Sequence, residues 1–435
     1  MDAVRADHLS TYGYQRETSP QLDALARGGV VFETVISPIP QTGPACASLL
    51  TGRWPASLAL HANDQRLSPG PRTLGEVLGA AGYETAGFVS GYPLIRRLAG
   101  LDRGFSTFDD EMPDARGIVA QVQRRGSKTT AAALRWLARR SSQQPFFLWV
   151  HYYDPHGDYL PGPPFETMFA GGPKGPFLSV EVIPQYQRRG NSTDAGDYIA
   201  RYDGELRYVD NEIGKLLDGL AKLGHRESTL IAVVSDHGEN LVEHGAYFDH
   251  GNEIYLEAVQ VPLVLAGPGV PADGRRIRGI ARIPDMMPTL LGLLRMESQA
   301  DVEGVSLVAS LASSTITPSR EAFSEARLEP AEGATLVSGG TPKLAARDER
   351  FTVLWRLATG KVELYDRSTD PHEERDILST TPPDPVDEQI RVTVCTRLQA
   401  LLDAQTRRVR PEPRVLSPEL RALLERRVAK RVEPG

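Results

Sequence analysis

Thr229-Leu-Ile-Ala-Val-Val-Ser-Asp-His-Gly-Glu239 is a short apolar run that ends in an acid, an imidazole and a glycine. Thr229–Ser235 has the length and β-branched content of a strand buried on both faces. A strand that delivers Asp236 and His237 together at its carboxyl end fits an open α/β sheet, where ligands bind outside the carboxyl ends of the strands. Pro145–His151 repeats the pattern: a fully apolar segment gives way to His151-Tyr-Tyr-Asp-Pro-His156. Val30–Val35, Thr85–Ser90 and Val261–Ala266 read as further strands.

Helical segments alternate with these strands. Ser19–Gly28 has Pro20 in its first turn and Gly28 as its stop. Ala47–Thr51 reads as a buried helix after a Gly-Pro turn. Thr73–Gly82, Ser127–Arg140 and Pro284–Leu294 are helical too. Asp197–Leu223 is long and amphipathic, with Tyr202, Leu206, Val209, Ile213, Leu216 and Leu217 on one face. Such alternation predicts an α/β fold with a mostly parallel central sheet and helices on both faces. The pattern weakens after about Ser310. Arg350–Leu357 and Lys361–Asp366 then read as paired strands turning at Thr359-Gly360. The chain becomes Pro-rich from about Thr380, and Ser417–Val428 is helical. The expected organisation is a large α/β domain over 1–310, a small antiparallel α+β subdomain over 311–380 and a helical tail over 381–435. No internal repeat is visible.

The 435 residues carry a net charge of −7, which gives no electrostatic reason to bind nucleic acid. Basic residues gather at Arg407–Arg410 and Arg426–Arg431, alternating with Glu and Leu as on a solvated helix face. Cys46 and Cys395 are the only cysteines, too few for a disulfide framework. No apolar run is long enough to cross a membrane. The chain opens Met1-Asp-Ala-Val-Arg-Ala-Asp-His8, so Asp2 has no strand before it. We expect an apolar strand upstream that ends at Asp2; a genuine start with Asp2 as a surface acid is the other reading. As written, the chain shows no export signal and reads as cytoplasmic. A missing upstream segment would open a periplasmic or extracellular location.

Four segments carry chemistry. Asp236-His237 offers carboxylate and imidazole ligands to zinc, manganese or another divalent metal, or serves as a cap with a surface His. Thr42-Gly-Pro-Ala-Cys-Ala-Ser-Leu-Leu-Thr-Gly-Arg53 puts a hydroxyl before a helix start, where an alkoxide or oxyanion is favoured; Thr42 as a plain helix cap is the alternative. His151, Asp154 and His156 suit proton transfer or oxyanion binding. Glu243-His244 and Asp249-His250 follow the Asp-His pair on a loop that can fold back over a metal; of these His250 is the candidate, and Glu243 and His244 read as loop packing.

In their order along the chain these segments resemble the sulfatase family of the alkaline phosphatase superfamily. Asp2–His8 resembles the first metal-binding stretch and Ser19–Ala26 the helix after it. Thr42–Arg53 resembles the signature Cys-x-Pro-Ser-Arg-x-x-Leu-Leu-Thr-Gly-Arg, and Ser235–Gly238 the second metal stretch. His250-Gly251, Tyr255, Glu257 and Val261-Pro262 resemble the segment that carries a substrate-binding Lys or His. Glu363–Asp366, Asp370-Pro371, Glu374 and Asp376 resemble the end signature. The family oxidises its signature Cys to formylglycine. Thr42 stands at that position and Cys46 at the signature Arg, so formylglycine is not expected here.

The resemblance implies a divalent ion (Mn, Zn, Ca or Mg) on Asp2, Thr42, Asp236 and His237. It implies Thr42 as nucleophile, with His156 and His250 holding oxygens or protonating the leaving group, and Asn63 and His151 contacting substrate. Relatives with a Thr nucleophile act on phosphorus. A formylglycine hydrate expels sulfate through its second hydroxyl, and Thr42 has none. The expected activity is therefore hydrolysis of phosphate or phosphonate esters, or of sulfate esters, on a small-molecule, glycan or lipid substrate. A phosphoglycerol-type transferase and a non-catalytic binding protein of the same fold are the alternatives. Oligomeric state is not legible.

Overall fold

The structure is a computed structural model that describes residues 1–113, 122–140, 144–172, 174–299, 301–327, 329–331, 335–337, 341–379, 385–406 and 415–432. Its strands in chain order are β1 (Gly29–Ile36), β2 (Glu84–Phe88), β3 (Thr107–Asp109), β4 (Phe146–Val150), β5 (Ile231–Val234), β6 (Gln260–Val261), β7 (Leu263–Ala266) and β8 (Arg275–Arg282). There follow β9 (Ala322–Ala326), a short hairpin of β10 (Glu329–Ala331) and β11 (Thr335–Val337), then β12 (Lys343–Arg347), β13 (Phe351–Arg356) and β14 (Lys361–Asp366).

The fold is α/β. β3, β2 and β4 form a parallel sheet in that order. β5, β7, β1 and β6 form a second sheet, with β8 parallel to β1. The run read as one strand, Val261–Ala266, is broken at Pro262 into β6 and β7. Both lie antiparallel to β1, and β7 is antiparallel to β5 as well. Pro262 has no N–H to give a ladder, so the strand steps there.

Side chains alternate across β1. Val31 faces the helices Pro20–Arg27 and Ala195–Lys222, together with Leu25, Leu206, Val209 and Ile213. Val30 and Phe32 face the opposite layer with Leu265, Ile277 and Met286. Both faces of the sheet are thus sealed by helices.

The hairpin expected near Gly360 is present: Trp355 pairs with Val362 and Phe351 with Asp366. It belongs to a four-stranded antiparallel sheet, β14-β13-β12-β9. Helices Pro385–Thr406 and Pro418–Val432 pack on it through Ile390, Val394, Leu398, Leu420 and Leu424. The solvated-face reading of the basic run fails at Arg427. That side chain is buried, with Nε 2.5 Å from Asp387 Oδ1, while Arg426 is exposed. Arg407–Arg410 lie outside the described residues. No described helix is long and apolar enough to cross a membrane.

Two local features position the site. First, Met1 and Asp2 lie between the carboxyl ends of β4 and β5. Met1 N donates to Val234 O at 2.8 Å, Asp236 N to Met1 O at 3.1 Å, and Asp2 N to Tyr152 O at 2.9 Å. Ala3 follows at φ +53°, a left-handed turn costly for a residue with a Cβ, and the chain leaves the sheet there. Second, the helix expected at Ala47 begins at Thr42. Gly43-Pro44 is its first turn. The proline N–H would be one of the unpaired helix-start donors in any case, and the first helical bond runs from Ala45 N to Gln41 O at 3.0 Å.

Candidate active site

Asp2, Thr42, Asp236 and His237 meet in a buried cluster at the carboxyl end of β5 and the start of helix Thr42–Thr51. His237 Nε2 lies 3.3 Å from Thr42 Oγ1, 3.6 Å from Asp2 Oδ1 and 3.8 Å from Asp236 Oδ2. The other ring nitrogen, Nδ1, is 2.9 Å from the carbonyl of Gly238. A carbonyl can only accept, so Nδ1 carries the hydrogen and the Nε2 lone pair faces the cluster. The carboxylate of Asp236 is fixed in turn, its Oδ1 accepting the His237 N–H at 2.8 Å.

Neither carboxylate oxygen of Asp2 has a hydrogen-bond partner, although the side chain is fully buried. Burial, reinforced by Asp236, pushes its carboxyl well above the usual range. Two buried acids, one of them with both oxygens bare, facing a lone pair and a hydroxyl, form a donor set for a cation. Asp2, Asp236 and His237 offer one ligand atom each, all within 4.8 Å of one another.

The other predicted residues surround this cluster. His151, just beyond β4, sits with Nε2 3.3 Å from Asp2 Oδ2, and neither of its ring nitrogens is hydrogen-bonded. Burial lowers its pKa to about 3. His156 stacks on Tyr153 with ring centres 4.2 Å apart and meets His250 edge-on at 4.7 Å. Burial drives its pKa well below that of a free imidazole. The His250 ring is 4.4 Å from that of His237. Asn63 reaches the site indirectly: its Oδ1 accepts the backbone N–H of Gly43 at 2.7 Å, beside Thr42.

Asp154 does not join its two histidines. Its Oδ1 accepts from Gly126 N at 3.1 Å and lies 3.3 Å from Arg125 Nε, anchoring the helix Gly126–Arg139. Glu243 and His244 also stand apart. Glu243 pairs with Arg5 at 2.8 Å, and His244 stacks on Tyr255 at 3.6 Å between ring centres.

Sequence reasoning assigned no role to Glu239. It is fully buried, with Oε1 3.1 Å from His250 Nδ1, and burial pushes its carboxyl up to about 8. This acid holds the His250 ring so that Nε2 is the free nitrogen. Its place two residues after His237, inside the strongest motif, was the available signal. Cys46 was read only as a departure from a signature. It lies one helical turn after Thr42, with Sγ 3.9 Å from Asp236 Oδ2, and it is unpaired, as is Cys395.

Comparison with known proteins follows the same lines. The family model described as Sulfatase matches residues 1–296. The ulvan-active sulfatase of Formosa agariphila is 26% identical over 400 residues, covering 87% of this chain and 75% of its own length. A solved structure in complex with its substrate D-glucosamine-2-N,6-O-disulfate superposes with a TM-score of 0.76 at 21% identity, covering 92% of this chain and 96% of that one. The phosphonate monoester hydrolase of Agrobacterium radiobacter superposes with a TM-score of 0.73 at 22% identity, covering 93% and 94%. At these identities the two structures speak for the fold.

Proposed function

This chain belongs to the sulfatase family of ester hydrolases, and we propose that it is a divalent-metal-dependent variant that attacks its substrate with Thr42 and prefers phosphate or phosphonate esters to sulfate esters. The observation that carries this reading is the placement of Thr42 Oγ1 3.3 Å from the lone-pair nitrogen of His237, beside two buried acids.

Asp2, Asp236, His237 and the Thr42 oxygen would hold the ion, and the bare oxygens of Asp2 fit that role. When bound, a divalent cation supplies charge that lowers the pKa of a neighbouring hydroxyl and offsets charge on an ester oxygen. Thr42 Oγ1 gives up its proton to solvent and forms a bond to the central phosphorus as the bond to the leaving oxygen breaks. His156 and His250 stand together beside His237. His156 Nδ1 carries its hydrogen toward the carbonyl of Gly157 at 2.9 Å, which leaves its Nε2 lone pair as a proton acceptor, while His250 gives a proton to the departing alkoxide and takes one back from the water that follows. Burial keeps His156 neutral, so it acts through a ring nitrogen rather than as a fixed charge. The partial positive charge of the backbone N–H groups at the start of the ten-residue helix Thr42–Thr51 favours the negative charge gathering at Thr42. Asn63 holds one of these groups, Gly43 N, and so sets the angle at which Thr42 enters the site.

Water then attacks the Thr42 ester at its central atom and releases Thr42 as a hydroxyl. A threonine ester has no second hydroxyl through which the oxyanion can be expelled. The central atom must accept a nucleophile, and phosphorus does so more readily than sulfur. An aryl phosphonate or phosphodiester offered with manganese or zinc should leave a phosphorus-bearing adduct on Thr42, seen as a mass increment on its peptide after rapid acid quench. An adduct on any other residue, or faster turnover of an aryl sulfate than of its phosphorus analogues, would refute the reading.

A further inference from the structure

We propose that Cys46, His151 and Asp236 form a second cation position, contiguous with the first and selective for a thiophilic ion such as zinc. The inference rests on the reading that Asp2, Asp236 and His237 hold a cation, and it extends that site by residues to which the first position gives no task.

Three observations converge on it. Cys46, His151 and Asp236 are all buried and place one ligand atom each within 4.8 Å of one another. His151 is 2% exposed and has no hydrogen-bond partner on either ring nitrogen, a costly state for a buried imidazole with nothing to bind. The two acids are also divided between two sides. Asp2 Oδ1 faces His237 at 3.6 Å while its Oδ2 faces His151 at 3.3 Å. Asp236 Oδ2 lies between His237 at 3.8 Å and the Cys46 sulfur at 3.9 Å. Each carboxylate can therefore bridge, as in two-metal sites whose ions sit about 3.5–4 Å apart.

The donor set decides the ion. One sulfur, one imidazole nitrogen and shared carboxylate oxygens suit zinc, with Zn–S about 2.3 Å and Zn–N about 2.0 Å, and suit magnesium or calcium poorly. Cys46 also stands where the family signature would place an arginine, whose fixed charge would repel a cation from this spot. Binding costs the thiol its proton, which passes to solvent as the sulfur–metal bond forms.

The test is cobalt and zinc titration of the metal-free full-length chain, read by elemental analysis and near-ultraviolet absorption. The wild type should bind about two equivalents and show a thiolate-to-cobalt charge-transfer band, as a two-metal site requires. Cys46→Ser should bind about one and lose the band, and Cys395→Ser should keep both. In the unaltered chain, zinc but not magnesium should shield Cys46 from alkylation, a readout that does not depend on any variant folding. One equivalent with no band, or two equivalents retained in Cys46→Ser, would overturn the second position and leave the first intact. A wild type that binds no cation would overturn both.

Discussion

His237 Nε2 and Thr42 Oγ1 lie 3.3 Å apart, although the two residues are 195 positions apart in the chain. The contact is set from both sides. Gly238 O takes the Nδ1 hydrogen of His237, and the helix Thr42–Thr51 begins at the residue that carries the hydroxyl. Neither residue can shift without breaking a backbone constraint. The pair therefore stands ready before substrate arrives.

Glu239 reaches the reaction through His250. Glu239→Gln keeps the size of the side chain but weakens the grip on His250 Nδ1, 3.1 Å away. Loss of such a supporting contact typically costs about 10–100-fold. The expected result is a fall in kcat of that order with KM little changed and metal content equal to the wild type. A variant that loses its metal instead would show Glu239 to be a support for the ion site.

Asp2 and Asp236 share a buried space with few other charges to offset them. Metal removal should destabilise the chain, and restoring an ion at about 100 times its Kd should return about 2.7 kcal/mol. Differential scanning calorimetry with chelator and with added zinc or manganese measures this. Asp236→Asn should abolish the metal-dependent rise in Tm.

Gly238 has no room for a side chain. A Cβ there would collide with the carbonyl of Glu257, and Gly238 N already bonds Ala258 O at 2.9 Å. Gly238→Ala must push the Asp236-His237 segment away from the helix Leu256–Val259. Overpacking of this kind costs about 1–3 kcal/mol. The expected variant has a lowered Tm and a larger loss of metal affinity than of stability.

Asp210 gives a pH dependence remote from the cluster. Its carboxyl accepts from Gln21 N and Leu22 N at 2.9 Å each, at the start of helix Pro20–Arg27, and burial raises its pKa to about 7. A folded-state pKa above the unfolded value means that the folded chain holds the extra proton between about pH 4 and 7. This contribution is complete below pH 4 and is lost as pH rises through 7. The Tm of the metal-free chain should therefore carry a downward slope over that window. Asp210→Asn, which cannot titrate, should lack that part of the slope.

The sequence made the layers of this fold legible because its strands are short, apolar and closed by polar residues. Thr229–Ser235 and Pro145–His151 ended where Asp236 and His151 had to be. Two boundaries misled for identifiable reasons. Gly43-Pro44 looked like a turn, yet proline fits a first helical turn, and this moved Thr42 from a loop onto a helix end. Pro262 split a run that composition made continuous. The site itself was partly legible. Asp236-His237 were adjacent in sequence, so one strand delivered both. The pairing of His151 with Asp2, and of Cys46 with Asp236, joins segments far apart in the chain, which no local pattern records. Asp154 was read with its neighbours His151 and His156 because the three cluster in sequence; a turn after β4 sends it instead to Gly126.

The most direct test of the nucleophile is steady-state kinetics of Thr42→Ala beside Thr42→Ser on an aryl phosphonate, an aryl phosphodiester and an aryl sulfate, each variant first shown to hold metal. Thr42→Ala should lose at least about 10³-fold in kcat on the phosphorus esters, and Thr42→Ser, which keeps a hydroxyl, should retain measurable turnover. Thr42→Ala turning over at the wild-type rate would contradict the account.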